Sequence, residues 1–170
     1  MRKVTRTAPA KINLGLDVTG TRPDGYHLLE TVFQAVSIAD TVTVELTDTP
    51  DIALTCDVAG VPCSPKNIAW KAAQRYLDAA GLTDGVQIHI EKRIPMEAGM
   101  GGGSTDGAAV LLALQELTGN ALSMDKLAEI AVSLGADVPF FLYGGTAYAA
   151  GIGEKLEKLP AFSTDCMVIA

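Results

Sequence analysis

The strongest chemical signal in the chain is the run Pro95-Met96-Glu97-Ala98-Gly99-Met100-Gly101-Gly102-Gly103-Ser104-Thr105-Asp106. Four glycines fall between positions 99 and 103, after a stretch with strand alternation and before one with helical spacing. Glycines let a backbone approach a ligand closely, and the free N–H groups and dipole of a helix start favour an anion such as phosphate. The hydroxyls of Ser104 and Thr105 add groups for phosphate oxygens or a magnesium ion. A flexible connection without a ligand is the plain alternative, but so many glycines cost chain entropy for no return. A Walker A loop needs Gly-Lys-Ser/Thr, whereas Gly103 here precedes Ser104 directly. A dinucleotide fingerprint counted from Gly99 and Gly101 puts Ser104 where the third glycine belongs.

Three further segments carry residues suited to chemistry. Pro9-Ala10-Lys11-Ile12-Asn13-Leu14 places a lysine and an asparagine two apart, hence on one face of a strand, here read as the face away from the core. There they could set a cation near a developing charge and an amide near a polar substrate, or simply be exposed. In Gly135-Ala136-Asp137-Val138-Pro139 the aspartate follows a predicted helix end; it serves either as a functional carboxylate or as a cap for the next turn. Tyr26-His27 follows the turn signal Arg22-Pro23-Asp24-Gly25 and offers a stacking ring and an imidazole to a base, or a merely solvated loop.

The elements that must position these groups are legible in outline. Ile12, Leu14, Leu16 and Val18 alternate as the apolar face of a first strand, and further strands are expected at 28–36, 41–47, 52–57 and 86–93. His89 falls on the polar face of the last of these. Ser64-Pro65 reads as an N-cap and first turn of a helix closing at Gly81. Two more helices are predicted over 104–118 and 124–134, with Gly119 and Gly135 as their stops. Strands near 145–150, 154–158 and 166–170 complete one α+β unit without repeats or linkers.

Composition bounds the function classes. With 170 residues, 48% of them hydrophobic, the chain suits one domain with a sizeable core and is not disordered. Thirteen basic against twenty acidic residues give a net charge of −7, which argues against a duplex nucleic-acid binder or a protein adsorbed to anionic lipid. The longest apolar run, Ala108 to Leu114, is far too short to span a bilayer, and Thr7-Ala8-Pro9 stands where a signal peptide would have its apolar region. A cytoplasmic protein is expected. Cys56, Cys63 and Cys166 lack CxxC spacing, so neither a disulfide framework nor a zinc knuckle is expected.

Taken in order, Pro-Ala-Lys-Ile-Asn-Leu at 9–14, Arg-Pro-Asp-Gly-Tyr-His at 22–27, Pro-x-x-x-Gly-Met-Gly-Gly-Gly-Ser at 95–104 and Leu-Gly-Ala-Asp-Val-Pro-Phe at 134–140 resemble the GHMP kinase superfamily. Within it they resemble the 4-diphosphocytidyl-2-C-methyl-D-erythritol kinases of non-mevalonate isoprenoid synthesis. The Tyr-His turn and the Gly-Ala-Asp-Val-Pro motif narrow the resemblance to that family. It implies the amino-terminal, ATP-binding GHMP domain over 1–170, ribosomal protein S5 domain 2-like, with a left-handed βαβ unit. It also implies transfer of phosphate from ATP, with Mg2+, to the 2-hydroxyl of a cytidine diphosphate-bearing substrate. Lys11 and Asp137 become the catalytic pair, and Pro95, Met96, Glu97, Ala98, Gly99, Met100, Gly101, Gly102, Gly103, Ser104 and Thr105 the ATP loop. Asn13, Tyr26 and His27 face the substrate, and Ser104 is a candidate magnesium ligand. Thr105 stands where a second Ser or Ala is usual, and Gly107 where Ala is usual. Family members continue past Cys166-Met167-Val168-Ile169-Ala170 into a second GHMP domain, so these residues read as a strand that begins or crosses into it. The rival expectations are a homoserine- or mevalonate-type kinase and a nucleotide-binding domain without turnover.

Overall fold

A computed structural model describes residues 2–162; the strand expected at 166–170, with Cys166, lies outside them. The described chain runs β1 (Lys3–Thr21), β2 (His27–Thr47), β3 (Ile52–Cys56), α1 (Ile68–Ala80), β4 (Gly85–Glu91), α2 (Gly102–Leu117), α3 (Met124–Leu134), α4 (Val138–Tyr143), β5 (Thr146–Gly151) and β6 (Lys155–Lys158). The α+β reading holds. The strands form one mixed sheet ordered β3-β4-β2-β5-β6, with β1 paired to β2. Among the described residues only β3 and β4 run parallel, and α1 joins them as a βαβ unit.

β2 is the axis of the sheet. Two strands were expected here, but Val36-Ser37-Ile38-Ala39-Asp40 contains neither Gly nor Pro, and the strand runs through. β2 pairs antiparallel with β1 along its length and divides its other edge, giving Leu29–Gln34 to β5 and Thr41–Thr47 to β4. Period two then sets the layers: Val42 and Val44 on β2, with Val86, Ile88 and Ile90 on β4, are buried, while Gln87 and His89 are exposed.

α1 and α2 cover the buried face. Asn67, not Ser64, caps α1, its Oδ1 accepting from Ala69 N at 2.9 Å, and Gly81 closes the helix in the left-handed conformation at φ 65°. α2 begins at Gly102, two residues before the predicted start, and buries almost everything from Thr105 to Gln115. Val110, Leu111 and Leu114 meet Tyr76 of α1 and Leu127 of α3 in the core, each full burial contributing about 1.5–3 kcal/mol. The Tyr76 hydroxyl donates to Gln115 Oε1 at 2.8 Å, so this polar group carries no desolvation penalty. α3 matches the predicted span, while α4 was not anticipated: a six-residue helix with Pro139 in its first turn is too short for periodicity to show.

One expectation is overturned in β1. Leu14, Leu16 and Val18 were read as its core face, yet they are 45%, 58% and 57% exposed, because the β1–β2 hairpin extends past the helical layer. Lys11, read as lying away from the core, is buried. A register shift between Pro9 and Lys11 exchanges the faces. Upstream, Val4 and Ala8 join the main core; after the bulge Ala10 and Ile12 turn to a second cluster with Ile94 and Met100, and Lys11 takes the core side over the Phe33 ring. Among the described residues no helix is long and apolar enough to cross a membrane. Cys56 and Cys63 are free thiols.

Candidate active site

The bulge that buries Lys11 also builds the centre of the site. It withdraws the Lys11 N–H from the β1–β2 ladder, and that N–H donates to Met100 O at 3.0 Å, docking the glycine loop on β1. The Lys11 side chain sits over the Phe33 ring, with Nζ 4.8 Å from its centroid, and donates to Asn13 Oδ1 at 2.8 Å. Asn13 Nδ2 donates to Thr31 Oγ1 at 2.7 Å, and the Thr31 hydroxyl passes on to Gly15 O at 2.7 Å. Lys11 and Asn13 therefore share a face, as their spacing implies. Asn13 spends one donor and one acceptor on the protein, and Phe33 and Thr31 are supports that sequence reading missed.

Asp137 meets this lysine from the far end of the sequence. Its Oδ2 lies 3.6 Å from Lys11 Nζ, beyond hydrogen-bond distance, with the carboxylate about one-third exposed. The alternative role as a cap is not taken: Asp137 occupies the N-cap position of α4 but makes no side-chain capping bond. Its carboxylate is thus free to face a ligand beside a fixed ammonium. α4 sets the distance, since its Phe140 packs on Phe33 with centroids 5.3 Å apart and its Phe141 packs on Phe140 at 5.2 Å.

The loop Pro95–Gly99 is exposed, and Met100 is buried against Ala10 and Ile94 as its anchor. Glu97, Gly99 and Gly101 have φ of 59°, 70° and 73°, so every second residue is left-handed. Such backbone turns successive N–H groups toward one side and forms concavities suited to anions. Gly101 is doubly required: a Cβ there would lie 2.7 Å from Cζ of Phe141 and 3.3 Å from Cγ of Lys11. The helix N-cap is this glycine without a side-chain cap, which leaves first-turn N–H groups open at Gly102, Gly103 and Ser104. Ser104 is half-buried there. Thr105 is buried, its N–H donating to Gly101 O at 2.8 Å.

Tyr26 and His27 stand apart from this centre. They close the hairpin turn, where Gly25 N donates to Arg22 O at 2.9 Å and Arg22 pairs with Asp24 at 2.8 Å. Tyr26 is 60% exposed, and His27 Nδ1 lies 3.3 Å from Thr21 Oγ1. His27 faces Thr21 in register while Lys11 faces Ala35, so ten residues of β1 separate them, about 33 Å of straight strand. Bulges at Asn13/Gly15 and Val18/Gly20 bend that arm.

Beneath the loop lies a cluster not anticipated from sequence. Lys92 Nζ donates to Asp40 Oδ2 and, at 2.9 Å, to Asp106 Oδ2, and all three side chains are buried. Burial pushes the Asp106 carboxyl up to about 7, against the pull of Lys92 and helped by Asp40. The Lys92 ammonium is raised: burial acts against its charge, and the two carboxylates outweigh it. Strand parity held the signal. Extending Val86, Ile88, Ile90 by two gives Lys92, extending Val44, Val42 gives Asp40, and both lie one step beyond the last β2–β4 pair, Thr41 with Glu91.

The family model for the GHMP kinases N terminal domain matches residues 67–145, from the cap of α1 through α4. A homoserine kinase from Cytophaga hutchinsonii, 24% identical, superposes with a TM-score of 0.72 over 94% of this chain and 52% of its own, which speaks to the fold. Over residues 67–145 the chain is thus similar to the amino-terminal domain of the GHMP kinases, and it has that domain's α+β fold. More particularly, it is 49% identical over 169 residues to a protein of Geobacter metallireducens named 4-diphosphocytidyl-2-C-methyl-D-erythritol kinase. That match covers 99% of this chain and 60% of the relative. A Clostridium tetani protein of the same name is 46% identical over 95% of this chain and 58% of its own. A crystal structure of 4-(cytidine 5'-diphospho)-2C-methyl-D-erythritol kinase, 48% identical, matches with a TM-score of 0.78 over 92% of this chain and 55% of its own. The chain thus spans about 60% of the length of such relatives.

Proposed function

We propose that this chain is the ATP-binding part of a kinase that phosphorylates the 2-hydroxyl of 4-diphosphocytidyl-2-C-methyl-D-erythritol in isoprenoid precursor synthesis. One observation carries the reading: a buried lysine and a partly exposed aspartate converge at 3.6 Å beside a glycine loop docked on that lysine's own N–H. In the reaction the acceptor hydroxyl oxygen attacks the γ-phosphorus, its proton passes to Asp137, and the bond to the β–γ bridging oxygen breaks with its electron pair leaving on ADP. Phosphoryl transfer depends mainly on positioning and on stabilised charge. Lys11, held by Asn13 and Phe33, stabilises negative charge developing on the acceptor oxygen. The open N–H groups at the start of α2 receive phosphate oxygens.

Magnesium suits this site as an ion brought by the nucleotide. No cluster of three or more His, Cys, Asp or Glu side chains able to hold a metal exists among the described residues. Mg2+ commonly keeps waters and takes most protein-side ligation from one or two groups plus phosphates, and Ser104 offers one such hydroxyl. When bound, the ion would neutralise phosphate charge. Tyr26 and His27 on the bent arm would receive the cytosine, the ring by stacking and the imidazole by hydrogen bonding. The proposed partners are therefore ATP and a cytidine diphosphate-bearing small molecule, with neither nucleic acid nor membrane, in the cytoplasm.

The test is ADP release from ATP with the cytidyl substrate, homoserine and mevalonate as competing acceptors. Turnover confined to the cytidyl substrate supports the proposal, whereas turnover of homoserine or mevalonate overturns the acceptor assignment. The partial span of the relatives favours one second reading: ATP binding with no turnover of any acceptor would assign these residues to nucleotide binding only.

A further inference from the structure

The buried chain Asp40–Lys92–Asp106 has no part in the chemistry above, and its cost demands a role. Two carboxylates and one ammonium are buried together, and Asp106 Oδ1 has no hydrogen-bond partner among the described residues. Buried ion pairs are weak contributors to stability, because desolvation offsets their attraction, and an orphaned buried acceptor adds a further penalty. Apolar residues of similar volume would commonly fill such a space at no loss. Selection for stability alone therefore does not account for the cluster.

Its connections point elsewhere. Asp40 Oδ1 accepts from the backbone N–H of Arg93 at 2.5 Å and of Ile94 at 2.8 Å, fixing the chain where it leaves β4 and enters the glycine loop. Lys92 reaches from that same exit to Asp106, in the first turn and a half of α2, where the loop ends. Its ammonium lies directly under the helix start, since a Cβ on Gly102 would be 3.2 Å from Nζ. The two ends of the loop are thus tied to one buried aspartate through one lysine.

We propose that Asp40, Lys92 and Asp106 are positioning residues that clamp both ends of the glycine loop and thereby aim the first-turn N–H groups of α2 at the nucleotide phosphates. The inference rests on the reading of this loop as an ATP site. The clamp acts on phosphate recognition and not on the base or the acceptor. Breaking it lets the helix start move against the strand exit, and a displacement of under an ångström at several N–H donors weakens every phosphate bond together.

Titration calorimetry with ATP and with adenosine, on the wild-type protein and on Asp106→Ala and Asp106→Asn, tests this. Asn keeps an oxygen for Lys92, so it should stay within about threefold of wild type for ATP, while Asp106→Ala should lose at least tenfold with adenosine affinity unchanged. That split between ATP and adenosine is one that a general loss of folded protein would not produce. If Asp106→Ala does not fold, Lys92→Met takes its place, with the same loss confined to ATP expected. Equal ATP affinity in wild type and the folded Ala or Met variant overturns the clamp, as does a parallel loss for ATP and adenosine. A wild-type protein that binds no ATP overturns the reading of the loop itself, and is told apart from failure of the clamp by that first titration.

Discussion

Raising the pH from 4 to 8 should destabilise this protein through one buried carboxyl. Asp106 is held at about 7 by burial, against an ordinary 3.8. Below pH 3.8 it is protonated in both folded and unfolded chains. Between the two values the unfolded chain releases the proton while the folded chain keeps it, so ionisation favours unfolding and stability falls as pH rises. Above about 7 the group is ionised in both states and the loss is complete. A separation of about three units at 1.36 kcal/mol each gives a total on the order of 4 kcal/mol. Asp106→Asn removes the titration while keeping an oxygen toward Lys92. Urea unfolding of both proteins at pH 4.5, 5.5, 6.5 and 7.5 isolates it, because other titrating groups cancel in the difference. The wild type should fall relative to the variant by up to about 1.4 kcal/mol per pH unit through pH 5–6.5 and level off above 7. A difference that stays constant across the whole range would show that Asp106 does not hold its proton in the folded protein.

Three substitutions probe the site itself. Asp137→Asn should leave ATP affinity within about twofold and cut turnover by about 100- to 10,000-fold, read by calorimetry and ADP release; near-normal turnover would remove Asp137 as the base. Tyr26→Ala should weaken the cytidyl substrate by about 1–3 kcal/mol without changing ATP affinity, and unchanged substrate binding in the titration would count against stacking. Gly101→Ala should destabilise by about 1–2 kcal/mol from the left-handed backbone alone and more from the contact with Phe141. Thermal unfolding and ATP titration together check that substitution, and a variant with wild-type melting and affinity would refute the packing argument.

Much of the site was legible because its chemistry is local. A glycine loop between a strand and a helix start brings flexible backbone and open N–H groups wherever it falls, since both are properties of the segment. Asn13 two residues after Lys11 signals a shared face, and the structure joins them at 2.8 Å. Misreadings arose where pairing overruled local pattern. Leu14, Leu16 and Val18 alternate as a core face should, but a hairpin longer than the helical layer leaves them in water. Ser64-Pro65 looked like a helix start, and Asn67, better placed to accept from Ala69, took the cap. The buried Asp40 and Lys92 are within reach of the same period-two count that identifies their apolar neighbours, carried two residues beyond Val42 and Ile90.

By itself the sequence determined the inventory: a glycine-rich loop, a lysine and an aspartate in separate motifs, a Tyr-His turn, amphipathic strands and helices, and an α+β class. Those follow from residue type and periodicity, which act over a few positions. Only the tertiary structure decided that Lys11 faces inward, that α4 brings Asp137 to 3.6 Å from it, and that both ends of the loop meet over one buried lysine. These depend on a single bulge in β1 and on pairings between strands and helices far apart in the chain. Such contacts are selected by the energy of the whole packed core, not by any local segment.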